Sequence, residues 1–200
     1  EGEDERVLRA VQTALDERMV KPILVGRPAV IDMRIQKAGL HIKRDQDFDV
    51  VDPENDARFR LYWETYHKRM GRNGVTPEVA KAAVRRSNTL IAALMVHLGD
   101  ADAMVCGVHG RFDSHLAHVQ DVIGLRKEST GFATMNALML DKHTLFIADT
   151  YVNENPTAQE LAEIAVHAAE EVRRFGITPK VAFLSHSTYG SSKRPSALKM

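Results

Sequence analysis

A loop of hydroxyls and glycine follows one of the chain's most β-favouring runs: Pro179-Lys180-Val181-Ala182-Phe183-Leu184-Ser185-His186-Ser187-Thr188-Tyr189-Gly190-Ser191-Ser192. The apolar run 181–184 reads as a strand, and in an open α/β sheet ligands gather beyond the carboxyl ends of the strands. Ser185, Ser187, Thr188, Ser191 and Ser192 offer hydroxyls there, and Gly190 offers a backbone N–H that no side chain obstructs. A phosphate-bearing ligand needs donors of this kind. Strand-to-helix turns are rich in Ser and Gly in any case, so the loop is a candidate only together with its neighbours.

Arg85-Arg86-Ser87-Asn88 stands between two apolar helical faces. Paired arginines at such a break can fork hydrogen bonds onto a phosphate or carboxylate, which makes Arg86 a candidate; a solvated helix surface would carry the same residues. His109, His115 and His118, with Asp113, raise the question of a metal, since His115 and His118 are three apart and share a helix face. They complete no recognised zinc signature, and no metal is assigned. Ser185 and His186 lack the G-x-S-x-G elbow of a hydrolase. Neither the P-loop pattern nor G-x-G-x-x-G occurs, so a standard nucleotide or dinucleotide fingerprint is missing. Asp149 and Asn153 follow a strand end, where they either line a cleft or close a turn.

A chain of 200 residues can bury a substantial core. Its 27 basic and 27 acidic residues balance, and no long basic run argues for nucleic acid. The single cysteine, Cys106, lies in the apolar stretch Ala103-Met104-Val105-Cys106-Gly107, and a lone buried thiol fits a reducing, cytoplasmic setting. No apolar run is long enough for a bilayer and no secretory signal is present, so no membrane partner is expected. The chain begins at Glu1 without an initiator Met and stops at Lys199-Met200 where a helix is starting, so it reads as a segment of a longer polypeptide.

These residues need an alternating α/β frame. Leu8, Val11, Leu15 and Met19 recur at helical spacing before the short strand Pro22-Ile23-Leu24-Val25 and the turn Gly26-Arg27-Pro28. A second helix is expected over 29–37, then a strand Phe48-Asp49-Val50-Val51, then a helix carrying Phe59, Tyr62, Trp63, Tyr66 and Met70 on one face, a stripe more often core or interface than a cofactor box. Thr76-Pro77-Glu78 is a helix start, and the helical region that follows runs to Gly99 with a break near Arg86-Ser87-Asn88. Residues 103–106 read as a buried strand, followed by an amphipathic helix with Leu116, Val119, Val122 and Ile123. Past Ser129-Thr130-Gly131 the pattern predicts an antiparallel hairpin, 133–140 with 144–148, then a long helix after Asn155-Pro156 that Gly176 ends, and the strand 181–184.

Three segments taken together carry a resemblance: Leu94-Met95-Val96-His97-Leu98-Gly99-Asp100-Ala101-Asp102-Ala103-Met104-Val105-Cys106-Gly107, then residues 149–165 from Asp149-Thr150-Tyr151-Val152-Asn153 onward, and the 185–192 loop. The chain resembles the phosphate acetyltransferase (phosphotransacetylase) family. That resemblance implies an isocitrate/isopropylmalate dehydrogenase-like α/β fold. In it, two α/β subdomains, 1–128 and 129–200, the second opening on the hairpin and incomplete, flank a cleft for an acyl-CoA. It also implies a homo-oligomer, with a dimer formed through this domain. Within the family the chain is similar to the C-terminal domain of large bacterial NADP-dependent malic enzymes, on Arg85-Arg86, Ala148-Asp149-Thr150-Tyr151-Val152-Asn153, Ser185-His186-Ser187 and Gly190-Ser191-Ser192.

Where acetyltransferases carry His-Thr-Thr and then Arg-Pro after the Gly107 turn, this chain reads His109-Gly110-Arg111-Phe112-Asp113-Ser114-His115-Leu116-Ala117-His118. The missing Arg-Pro removes a CoA-site arginine. The family's catalytic Ser-Arg and Asp would fall beyond Met200, so no catalytic residue is assigned. The resemblance therefore implies an acetyl-CoA-sensing domain, with Arg86 and the 185–192 hydroxyls and glycine as ligand contacts. NADP and Mg or Mn would belong to an upstream malate-decarboxylating domain of the same polypeptide. The alternatives are an active acetyltransferase and an oligomerisation domain using the Phe59–Met70 aromatic face.

Overall fold

Asp4 folds its carboxylate back onto the Arg6 N–H at 2.8 Å, so α1 (Glu5–Asp16) starts with one of its orphan donors satisfied. A short strand, β1 (Ile23–Val25), leads through Gly26 into α2 (Pro28–Lys37), whose Pro28 supplies the fixed φ of a first turn. The chain returns in β2 (Asp49–Val51), parallel to β1 with Ile23 opposite Asp49 and Val25 opposite Val51. Leu8, Leu24, Ile31, Ile35, Ile42 and Phe48 close over this βαβ unit as one apolar cluster. The computed structural model describes residues 1–200 and divides into two compact units, Glu1–Gly124 and Leu125–Met200.

The remainder of the first unit is helical. In order come α3 (Phe59–Met70), a 3₁₀ turn at Gly71–Asn73, α4 (Pro77–Arg86), α5 (Asn88–Leu98) and α6 (Phe112–Val122). Thr76 caps α4 through the Val79 N–H, as Thr-Pro-Glu predicts. Ser87 both ends α4 and caps α5, accepting from the Leu90 N–H at 3.1 Å, which is why the long helical region breaks there. A helix apolar all round has to be buried. α5 is such a helix: Thr89, Leu90, Ile91, Ala93, Leu94 and Met95 are buried, and Gly99 ends it in the left-handed region at φ 81°.

The aromatic stripe of α3 belongs to this core. Tyr62 and Tyr66 are 1% and 5% exposed, and the Tyr66 hydroxyl donates to Asp121 at 3.0 Å. Burial and that bond push the Tyr66 phenol up to about 12. Arg58, Lys81 and Arg85 stand over the rings of Tyr62, Trp63 and Phe59 at 5.5, 4.6 and 4.8 Å.

In the second unit, β3 (Met135–Met139) and β4 (Thr144–Ala148) form the antiparallel hairpin, Met135 opposite Ala148 and Met139 opposite Thr144. Then comes α7 (Ala158–Arg174), opened by a reciprocal Thr157–Glu160 capping box. A single helical turn, α8 (Pro195–Leu198), follows the 185–192 loop. Phe146 of β4 packs on Phe175 with ring centroids 5.5 Å apart.

Two expected strands are absent. Residues 103–106 and 181–184 form no strand and join no ladder, and Val105 and Leu184 are 98% and 82% exposed. Apolar, β-favouring composition reports a preference for burial, while a strand also needs a ladder partner. The sheets are therefore two separate pairs, one parallel and one antiparallel. This corrects the expected isocitrate/isopropylmalate dehydrogenase-like class to an α/β fold with small sheets. Met19 also falls outside α1, because the helix closes at Asp16 and Arg18 turns to φ 55°. No helix is long and apolar enough to cross a membrane.

Leu94 lies at the centre of α5 and is wholly buried. Leu94→Ala is expected to lower unfolding free energy by about 2–5 kcal/mol, whereas Met19→Ala, at a position 67% exposed, should stay within about 0.5 kcal/mol. Urea unfolding with an unchanged m-value checks both; equal midpoints would contradict the assignment of the core.

Candidate functional site

The carboxyl end of β1 is where backbone donors and carboxylates concentrate. Val25 O accepts from the Gly2 N–H at 3.0 Å and from Asn88 Nδ2 at 3.3 Å, which ties residues 1–4 and the start of α5 to the strand end. Only glycine fits at Gly2, where an added Cβ would stand 2.8 Å from Leu24 Cβ. Glu3 accepts from the Arg27 N–H at 2.9 Å, at the entrance to α2, and from the Arg27 guanidinium at 2.9 and 2.8 Å. The Arg27 side-chain bond, opposed by burial and helped by the Arg27 N–H, draws the Glu3 carboxyl down to about 2.

Glu1 reaches furthest. Its carboxylate accepts from the N–H groups of Gly107, Val108 and His109 at 3.0, 2.8 and 3.2 Å. Successive N–H groups aimed at one point form an anion-binding nest. Gly107 and Gly110 adopt φ of 109° and 92°, values that favour glycine. Burial acts to raise the Glu1 carboxyl, the three N–H bonds from Val108, His109 and Gly107 act to lower it, and the net shift is downward. His109 Nε2 lies 2.7 Å from Asp4 Oδ2, and Asp4 is held well below its ordinary value, chiefly by the Arg6 side chain.

His115 extends the cluster into the core. Its Nε2 is 2.6 Å from His109 O and its Nδ1 is 2.8 Å from Thr89 Oγ1. A carbonyl only accepts, so Nε2 is assigned the proton and the Thr89 hydroxyl donates to Nδ1. Burial and then the Glu1 charge push the Cys106 thiol up. His118 Nδ1 is buried without a partner, and burial lowers that imidazole. His109, His115 and His118 each face different neighbours, and no group of three His, Cys, Asp or Glu side chains has the geometry to hold a metal ion.

Arg86 lies in the last turn of α4, exposed and without an ion pair, three residues before Thr89, while Arg85 stacks on Phe59. The hydroxyl loop lies in the second unit. Ser185 Oγ accepts from the Ser187 N–H at 3.1 Å, Ser187 Oγ from the Ser192 N–H at 2.9 Å, and Ser192 Oγ from the Arg194 N–H at 3.4 Å. The 3₁₀ turn Thr188–Gly190 brings Thr188, Gly190 and Ser191 to the exposed side. Asp149 closes a turn: its carboxylate accepts from Thr134 N and Oγ1 and from Asn153 N and Nδ2, within 2.6–2.9 Å. The roles of residues 1–4, Thr89 and the 107–110 loop escape sequence reasoning; the acidic start and the spacing of Gly107 and Gly110 are the signals that could have raised them.

The sequence pattern of the family described as phosphate acetyl/butaryl transferase matches residues 1–200. The chain is 54% identical over 200 residues to the NADP-dependent malic enzyme of Salmonella typhimurium and 49% identical to the NAD-dependent malic enzyme of Rhizobium meliloti, covering 100% of this chain and 26% of each relative. It is 33% identical over 193 residues to the phosphate acetyltransferase of Nitratidesulfovibrio vulgaris, covering 96% of this chain and 27% of that protein. The chain thus spans about a quarter of the length of these relatives. Among solved structures, a phosphotransacetylase from Streptococcus pyogenes superposes with TM-score 0.87 at 32% identity, over 99% of this chain and 59% of the other. The EutD phosphotransacetylase from Staphylococcus aureus gives 0.86 at 26%, over 100% and 60%. The α/β fold with small sheets is accordingly that of the phosphotransacetylases, in place of the isocitrate/isopropylmalate dehydrogenase-like class.

Glu3 makes the corner pH-sensitive. Its folded carboxyl is depressed to about 2 from an ordinary 4.5, so its contribution is complete above 4.5 and is lost as pH falls through about 2. Glu3→Gln is expected to be less stable than the parent at neutral pH, with the gap narrowing between pH 4.5 and 2. Urea midpoints across that range that run parallel for the two proteins would contradict the assignment.

Proposed function

The chain belongs to the phosphate acetyl/butaryl transferase family, and from that premise we propose that it is the acyl-CoA-sensing, C-terminal part of an NADP-dependent malic enzyme. The observation that carries this reading is the difference in likeness, 54% identity to a malic enzyme against 33% to a phosphate acetyltransferase. The missing Arg-Pro after the Gly107 turn supports sensing over acetyl transfer. Oxidative decarboxylation of malate to pyruvate, with its NADP and divalent metal, belongs in this reading to an upstream region. This chain's own residues do not fit either group: it has no glycine-rich dinucleotide fingerprint and no converging set of metal-ligating side chains.

Arg86 is the group for a ligand phosphate or carboxyl. It is exposed, unpaired and always charged, and its fork matches either anion. Ser185, Ser187, Thr188, Gly190, Ser191 and Ser192 supply hydroxyl and backbone donors from their own loop. Regulation then requires that acetyl-CoA bind one arrangement of a homo-oligomer better than another, and a coupling of about 1–3 kcal/mol suffices.

Calorimetry on the full-length polypeptide is expected to detect acetyl-CoA binding, and malate oxidation should change with acetyl-CoA present. Arg86→Ala should weaken binding by about ten- to a hundredfold, the loss of a charge-assisted hydrogen bond, with basal malate turnover retained. Turnover of acetyl phosphate with CoA, or no heat with acetyl-CoA, would overturn the proposal.

A further inference from the structure

Arg86 has no ion pair to fix its direction, yet the helix junction that carries it is anchored through a continuous set of hydrogen bonds. Ser87 caps α5 at the junction, and Thr89, two residues on, is buried with its hydroxyl on His115 Nδ1 at 2.8 Å. The far side of His115 is fixed by His109 O at 2.6 Å. His109 is itself held twice, by its N–H on Glu1 at 3.2 Å and by its ring on Asp4 at 2.7 Å. The set therefore runs from the acidic start of the chain, across the 107–110 loop and the first turn of α6, to within three residues of Arg86.

Building on the acyl-CoA reading above, we propose that Thr89 and His115 are positioning residues that set the direction of Arg86 at the α4–α5 junction for the ligand's anionic group. Neither needs to touch the ligand. Both are enclosed, the His115 side chain being 16% exposed and Thr89 5%. Both ring nitrogens of His115 are engaged within the protein, Nε2 by His109 O and Nδ1 by the Thr89 hydroxyl. Their role is to hold α5 against α6 at one rotation, and through Ser87 to fix the last turn of α4.

The test is a double-mutant cycle on acetyl-CoA affinity in the full-length polypeptide, read by calorimetry. Thr89→Val and His115→Gln are each expected to weaken binding at least about threefold, and Thr89→Ser, which keeps the hydroxyl, should restore parental affinity. In an Arg86→Ala background neither change should weaken binding further, because the group they position is gone. Removing a buried hydroxyl risks the fold, so Asp4→Asn, at the amino-terminal end of the set and keeping a carbonyl oxygen for the α1 cap, serves as the milder variant with the same expected pattern. Parental affinity in the variants, or a weakening that persists undiminished in the Arg86→Ala background, would overturn the inference while leaving the acyl-CoA reading intact. Absence of binding by the unaltered polypeptide would remove both.

Discussion

Helix amino ends and loop N–H groups need negative charge beside them, and in the first unit three of the four residues at the start of the chain supply it. Glu1 fills the 107–109 nest, Glu3 holds the entrance to α2, and Asp4 caps α1. Each carboxylate meets donors that the local fold leaves without an intrahelical or ladder partner. Gly2 permits the approach, since a side chain there would collide with Leu24. The βαβ unit and the later helices are thus joined at the strand end by electrostatics and hydrogen bonds, while their apolar faces join elsewhere as two clusters.

The helical core follows from α5. A helix without a polar face requires neighbours on every side, and α3, α4, α6 and β1 provide them. Tyr62 and Tyr66 of the α3 aromatic stripe are consumed by that requirement, while Phe59, Trp63 and Met70 stay partly buried. The cations above its outer rings, Arg58, Lys81 and Arg85, cover what the core leaves open. Arg85 and Arg86 are adjacent, and the packing separates their roles: the guanidinium of one stands 4.8 Å over the Phe59 ring, the other stays exposed and without an ion pair.

Local signals were legible and distant ones were not. Thr76-Pro77, the break at Ser87, Gly99 and the hairpin around Asp141-Lys142-His143 are decided within a few residues, and sequence pattern finds them. Residues 103–106 and 181–184 look like strands, because composition cannot tell whether a ladder partner exists. The Glu1 nest joins groups more than a hundred residues apart, and nothing in the acidic run itself names its partner. In the 185–192 loop, the serines were visible as donors, but their use of one another's N–H groups was not, because Ser-to-backbone turns depend on the path the chain takes.

That local pairing bears on the difference between sensing and transfer. Moving an acyl group between a thiol and phosphate needs both reactants aligned at contact distance and free donors aimed where charge develops. In the 109–118 segment several polar side chains are already engaged, although His118 Nδ1 is buried without a partner. His109 faces Asp4, Arg111 faces Asp113 at 3.0 Å, and His115 lies between Thr89 and His109 O. Donors paired within the protein stabilise one shape and have little left for a transition state. Under the sensing reading proposed above, the ligand would have to bind one arrangement of these paired groups better than another.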